Sequence, residues 1–170
     1  MNFKWIGAVM ILCGCGGCGF SIAAMEVREE RGMRRLISAL DYMECELQYR
    51  LTPLPELCRL TGADIRGNIG AVFTRLAEEL DAQISPDVHR CMAAALSETA
   101  GLPGSVLQAF TQLGQTLGRF DLPGQLKGLE SVRQECRRRV EALSGNKQQR
   151  LRSYQTLGLC AGAALAILLL

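Results

Sequence analysis

The sequence has a single histidine, His89, and lacks the short motifs that mark common catalytic sites. It has no G-x-S-x-G nucleophile elbow, no phosphate-binding P-loop, and no G-x-G-x-x-G stretch accompanied by strand signals. Cysteine nucleophiles need a neighbouring base, and no local pattern couples a cysteine to His89. We therefore expect a protein that is not an enzyme and that has no cofactor site and no metal site.

Net charge and strand patterning are also scarce. Nineteen basic and 17 acidic residues leave a net charge of +2, which gives no overall attraction for nucleic acid. The basic run at residues 137–139 lacks interleaved aromatic residues, so lipid headgroups are the expected partner rather than RNA or DNA. Few β-branched residues alternate with polar ones, which argues against a sheet. These absences predict an all-α protein that binds no nucleic acid.

Charged residues are absent from both ends of the chain. None occurs in residues 5–25 or 153–170, and nearly all of the 36 charged side chains lie between them. At ~1.5 Å per residue, helices of these lengths reach ~31 Å and ~27 Å, close to the thickness of a bilayer's hydrocarbon core. The sequence predicts an N-terminal transmembrane helix within 1–25, a helical domain over 26–152, and a C-terminal transmembrane helix over 153–170.

The flanking basic residues indicate how the domain is oriented. Positive charge favours the cytoplasmic side, so the middle domain is expected in the cytoplasm and both termini outside. The ten residues concerned are Arg28, Arg31, Arg34, Arg35, Arg137, Arg138, Arg139, Lys147, Arg150 and Arg152. Export is the alternative, because Leu12-Cys13-Gly14-Cys15 resembles a lipoprotein cleavage box and Ile22-Ala23-Ala24 a small-residue cleavage site.

Apolar residues in the middle domain recur at helical spacing throughout. Short connections between the helices favour a compact antiparallel bundle of about six. Turn signals place their starts and ends: Thr52 as an N-cap with Pro53 and Pro55 in the turn that opens the second helix, Ser85-Pro86 before the fourth, and Asp121 as the N-cap of the sixth. The expected ranges are 30–51, 53–62, 68–82, 86–100, 103–117 and a long sixth helix from 121 with a weak point near Gly145, continuing into the second span.

Three patterns resemble sites but have simpler interpretations. The eight cysteines include Cys13-x-Cys15-x-x-Cys18, which lies in the first apolar run without an accompanying histidine, so we interpret its members as small membrane residues. Asp41 and Glu44 could share a divalent ion, although paired acids on a helix more often form a solvated face. Gly158 and Gly162 form a G-x-x-x-G that is either a helix contact face or a chance pattern.

One stretch is more specific than these patterns. Residues 113–125 carry the pattern L-G-x-x-L-G-x-x-D-x-x-x-Q, which resembles the signature of the stage III sporulation protein AB family of endospore-forming bacteria. The likeness extends to Thr52-Pro53-Leu54-Pro55-Glu56-Leu57, to the stretch of 157–162 with the aliphatic tail after it, and to the length and both apolar ends. Phe120, Gly145 and the cysteine-rich first span depart from the family pattern.

The resemblance implies a function that periodicity alone does not show. It implies a structural platform subunit, on the mother-cell side in the outer forespore membrane, of the channel that joins mother cell and forespore. The helical domain would resemble that of type II secretion F proteins. The implied partners are a secretion-type ATPase, stage III sporulation protein AA, and the other membrane proteins of the same operon. A membrane-tethered adaptor that recruits a cytoplasmic ATPase or regulator, and an exported lipoprotein, remain as alternatives.

The signature also has a physical interpretation. Gly114 and Gly118 are four residues apart, so both are expected on one face of the fifth helix, where they allow another helix to approach closely. Asp121 would cap the sixth helix, and Gln125 would lie one turn further on and hydrogen-bond nearby. A tight helix–helix corner is the preferred interpretation, and direct partner binding is the alternative.

Overall fold

The computed structural model describes residues 2–82, 87–118 and 121–145, with side chains from residue 24 onward within those ranges. These residues form six helices and no strand, which confirms the all-α fold class. The helices are α1 (Asn2–Arg50), α2 (Leu54–Asp64), α3 (Asn68–Asp81), α4 (Val88–Glu98), α5 (Gly104–Thr116) and α6 (Leu122–Gly145).

The described chain divides into two units. Glu29–Val140 is one compact unit, and residues 2–28 and 141–145 belong to the other. Within the described ranges, no helix combines the length and the apolarity that a membrane crossing requires. The proposed second span at 153–170 and the expected continuation of α6 lie outside those ranges, so the three-part division of the chain stays a prediction.

The helix α1 contributes one face to the core of the larger unit. Its inward residues recur every three or four positions, which places them on one face of the helix. This stripe consists of Met33, Leu36, Leu40, Met43 and Leu47, and all five are buried. In the same core, the rings of Phe73 and Phe110 meet edge to face with centroids 5.2 Å apart, which joins α3 to α5. Each such side chain contributes about 1.5–3 kcal/mol by its burial.

Two glycines allow α2 and α3 to cross at backbone contact, a feature that the sequence did not indicate. A Cβ built on Gly70 would lie 1.7 Å from the Ile65 carbonyl oxygen and 2.8 Å from the Gly62 carbonyl oxygen. A Cβ on Gly62 would lie 2.4 Å from the Thr74 hydroxyl oxygen. Real Cβ atoms essentially never approach another atom this closely, so both positions require glycine.

Two of the expected helix N-caps were wrong. Pro53, not Thr52, is the N-cap of α2, and Pro55 lies in the first turn, where its missing N–H costs nothing. A residue before proline is pushed towards extended backbone, which keeps Thr52 out of the helix. In α4 the N-cap is Asp87, whose side chain accepts from the backbone N–H of His89 at 3.1 Å. Ser85 and Pro86 lie outside the described residues.

Candidate functional site

The close helix approach expected at Gly114 is present, and the neighbouring helix is α4. Gly114 is buried, and a Cβ added there would lie 2.8 Å from Cβ of Met92 and 3.6 Å from Cα of His89. Any larger residue would therefore push α5 away from α4. The first glycine of the signature thus has a packing role.

Gly118 has a different role from the one expected, because it does not lie on the helix face with Gly114. The helix α5 ends at Thr116, Leu117 is its C-cap, and Gly118 follows with a φ of +72°. This left-handed conformation is the usual way for a helix to end, and glycine adopts it without a steric penalty. The spacing of four had suggested a shared face, whereas the second glycine actually terminates the helix.

We expect Gly118→Ala to lower the free energy of unfolding of the protein by about 1–3 kcal/mol. The left-handed backbone disfavours any Cβ, and at this position the new atom would lie 2.5 Å from Cγ2 of Val88. Urea unfolding followed by circular dichroism measures the loss. Gly145→Ala is the matched control, since a Cβ there meets nothing within 4 Å. Equal stability of the two variants would contradict this account of Gly118.

Asp121 opens α6 in the expected manner, and Gln125 follows in the first turn of that helix. The backbone N–H of Gly124 donates to Oδ1 of Asp121 at 3.3 Å, and that of Gln125 donates to the Asp121 carbonyl at 2.9 Å. The carboxylate thus satisfies one of the free N–H groups of the first turn. A second close contact follows, because a Cβ on Gly128 would lie 2.7 Å from Cβ of Thr116. Asp121 therefore fixes the start of α6, and the end of α5 approaches α6 closely at Gly128.

The Thr52-Pro53 turn is anchored by a buried carboxylate. Glu46 is only 9% exposed, accepts from the Thr52 hydroxyl at 3.2 Å, and lies 3.7 Å from a guanidinium nitrogen of Arg50. Burial, and secondly the charge of Glu46, raises the pKa of the Tyr42 phenol. Thr52 therefore holds the end of α1 through its side chain instead of capping α2.

Arg133 on α6 is the centre of an ionic cluster that the sequence did not predict. Its Nη1 donates to Asp41 at 2.7 Å and to Glu44 at 2.6 Å, and its Nη2 donates to Glu130. Arg137 lies 3.8 Å from Asp41, so α1 and α6 run antiparallel here. The arginine side chain is 18% exposed, and its Nε is buried without a hydrogen-bond partner in the described residues. The acidic pair considered for a divalent ion is thus engaged by a guanidinium.

The cysteines with described side chains behave as expected for small core residues, apart from Cys45. Cys58, Cys91 and Cys136 are buried, and Cys45 is exposed. Burial raises the pKa of the Cys58 thiol to about 12 and that of the Cys136 thiol to about 11. Neutral, buried thiols are poor nucleophiles, so neither Cys58 nor Cys136 is an activated nucleophile.

We expect a thiol reagent at about pH 8 to modify Cys45 in the folded protein and to leave Cys58 and Cys136 unmodified until the protein unfolds. Burial and the raised pKa both slow the modification of Cys58 and Cys136, because the reagent must reach the thiol and reacts with its thiolate form. Peptide mass spectrometry resolves the labelling of each site before and after addition of urea. Rapid labelling of Cys58 under native conditions would contradict the packing of α2.

The remaining glycines proposed for interaction, Gly158 and Gly162, lie outside the described residues, so their contact role stays a prediction.

His89 is half-buried on α4, and its Nδ1 is buried without a hydrogen-bond partner in the described residues. In the described part of the chain, no three metal-binding side chains are grouped to hold an ion.

Comparison with known proteins agrees with the resemblance seen in the sequence. The profile of the family described as Stage III sporulation protein AB matches residues 4–170. Stage III sporulation protein AB of Bacillus subtilis (strain 168) is 25% identical over 170 residues, covering 98% of this chain and 99% of that protein. A solved structure of Stage III sporulation protein AB superposes with a TM-score of 0.63 at 21% identity, over 72% of this chain and 98% of that one. The structural likeness shows a shared fold.

Proposed function

This chain belongs to the stage III sporulation protein AB family, which gives it a role in sporulation, and from that premise we propose that it is a non-enzymatic platform subunit of the channel complex between mother cell and forespore. The observation that carries the proposal is the family match over residues 4–170, which includes both uncharged ends as well as the helical domain. A relative of the same length, matched almost end to end, supports transfer of the whole protein's role.

Ion pairs between helices brace the compact unit, as a structural subunit requires. Charged side chains join helices to each other: Arg59 pairs with Asp81 between α2 and α3, and Arg75 pairs with Glu98 between α3 and α4.

We place the protein in the outer forespore membrane on the mother-cell side, with its helical domain in the cytoplasm. The proposal rests on the uncharged segments 5–25 and 153–170 and on the ten basic residues that flank them. Its proposed partners are the secretion-type ATPase stage III sporulation protein AA and the other membrane proteins of the same operon. The bilayer itself is the third partner.

Deletion of the gene, followed by complementation, tests this function. We expect the deletion to abolish heat-resistant spores and late forespore gene expression, and the full chain to restore both. A chain without residues 1–25 keeps the compact unit Glu29–Val140 but lacks the proposed anchor, so it should restore neither. Normal spore counts in the deletion strain would refute the proposal. A second test fuses to Gly101 a reporter enzyme that works only outside the cytoplasm. Activity of this reporter would refute the cytoplasmic placement.

A further inference from the structure

The helix α1 carries a second regular stripe, separate from the one that enters the core. Its members alternate steps of four and three residues, which is the spacing of a coiled-coil seam. They are Arg31, Arg35, Ser38, Tyr42, Cys45 and Tyr49. Five of the six are exposed, Tyr42 is half-buried, and Tyr49 is 77% exposed. We call these six residues the outer seam of α1.

The outer seam has the chemistry of a contact surface. Tyr42 and Tyr49 offer large aromatic faces of the kind that anchor protein interfaces. Ser38 and Cys45 are small, which leaves recesses beside the two rings for the side chains of a facing helix. A solvated helix face would be expected to carry long polar residues at these positions, as α6 does at Arg137 and Arg138.

The charge of the outer seam lies at one end and is not neutralised. Arg31 and Arg35 form no ion pair in the described part of the chain, although Arg34 between them pairs with Glu30 at 3.0 Å. Both exposed guanidinium groups would attract carboxylates on an incoming surface. The complementary helix is therefore acidic at one end and apolar at the other.

A second copy of the chain does not fit this surface. Two parallel copies would bring Arg31 and Arg35 against the same arginines, and like charges in contact oppose pairing. In two antiparallel copies, the arginines of each helix would face the tyrosines of the other, which is a favourable cation–π contact. They would, however, leave Arg31 and Arg35 of both copies without a carboxylate on the facing helix, because the outer seam contains no acidic residue.

We propose that the outer seam of α1 is the docking surface for an amphipathic helix of another protein, with acidic residues facing Arg31 and Arg35 and apolar residues facing Tyr42 and Tyr49. The proposal rests on the proposed function, because it supplies a contact through which the platform binds another component of its complex. Beyond the proposed function, it identifies the face of α1 that makes the contact and the chemistry of the helix that binds there.

Photo-crosslinking of the full chain in sporulating cells tests the docking surface. Benzoylphenylalanine replaces Tyr49 in one strain and the exposed Ala93 of α4 in a control strain. We expect an adduct at Tyr49 only, and peptide sequencing of that adduct should give a segment with apolar residues three and four apart and acidic residues towards one end. An adduct with a second copy, with lipid, or with a segment lacking this pattern would overturn the proposal, and so would the absence of an adduct.

A charge reversal tests the orientation. Arg31→Glu together with Arg35→Glu should lower the adduct yield at Tyr49 about tenfold, whereas Arg138→Glu, at a 71% exposed position on α6, should leave it unchanged. Both proteins should keep the melting temperature of the unaltered chain. Unchanged yield in the double variant would overturn the proposal. Failure of this inference is distinct from failure of the proposed function, which would appear as normal sporulation in a strain lacking the chain.

Discussion

Replacing Gly70 by alanine is expected to lower the free energy of unfolding by about 3 kcal/mol or more, enough to leave much of the protein unfolded. The added Cβ would overlap the carbonyl oxygen of Ile65 at 1.7 Å and approach that of Gly62 at 2.8 Å. Both opposing atoms belong to the backbone, so no side-chain rotation relieves the overlap. The helices α2 and α3 would have to separate.

Urea unfolding of the full chain in detergent, followed by circular dichroism, measures this effect. Gly104→Ala is the matched control, because a Cβ at Gly104 meets nothing within 4 Å and the residue begins α5. We expect the control to be neutral or more stable by up to about 1 kcal/mol, since alanine favours the helix. A Gly70→Ala protein as stable as the control would show that α2 and α3 do not cross at this distance.

The second large effect is expected for Arg133→Met, with a loss of about 2–3 kcal/mol. The substitution keeps most of the apolar stem but leaves the carboxylates of Asp41, Glu44 and Glu130 close together without their shared cation. Partial exposure of these carboxylates limits the cost below that of a fully buried pair. Added salt should reduce this loss of stability, since it screens the repulsion among the three carboxylates.

Thermal and urea unfolding at low and high salt test this expectation. Arg59→Met is the control, because Arg59 also bridges two acidic residues, Glu56 and Asp81, but is 51% exposed. Its loss should cost no more than about 1 kcal/mol. If Arg133→Met were no more destabilising than Arg59→Met, the ionic cluster would contribute no more to stability than an exposed ion pair.

Local signals in the sequence predicted the helices well. The apolar period placed α3 at 68–82, against Asn68–Asp81 in the structure, and Asp121 precedes α6 as expected. The errors occurred where another interaction overrode a local preference. Thr52 has the side chain of an N-cap, but the following proline displaces it and the buried Glu46 binds it instead.

Long-range features could not be read from the sequence. Gly70 and Gly62 gave no sign that their helices touch, because the distance between two helix axes depends on the packing of the whole bundle. The pairing of Arg133 with Asp41 joins residues 92 positions apart, so no spacing rule predicts it. Likewise, the interval between Gly114 and Gly118 suggested a common face, and only the φ of Gly118 shows that the helix has already ended.

The measurement that tests the central claim most directly is isolation of the tagged full chain from sporulating cells in mild detergent, with the molar ratio of every co-purifying chain determined. A platform subunit predicts a large complex in which this chain and its partners, the secretion-type ATPase among them, appear at a fixed ratio that is unchanged by washing. Recovery of the chain alone, or with a cytoplasmic protein that is lost or exchanges on dilution, would contradict the platform role and favour a membrane-tethered adaptor.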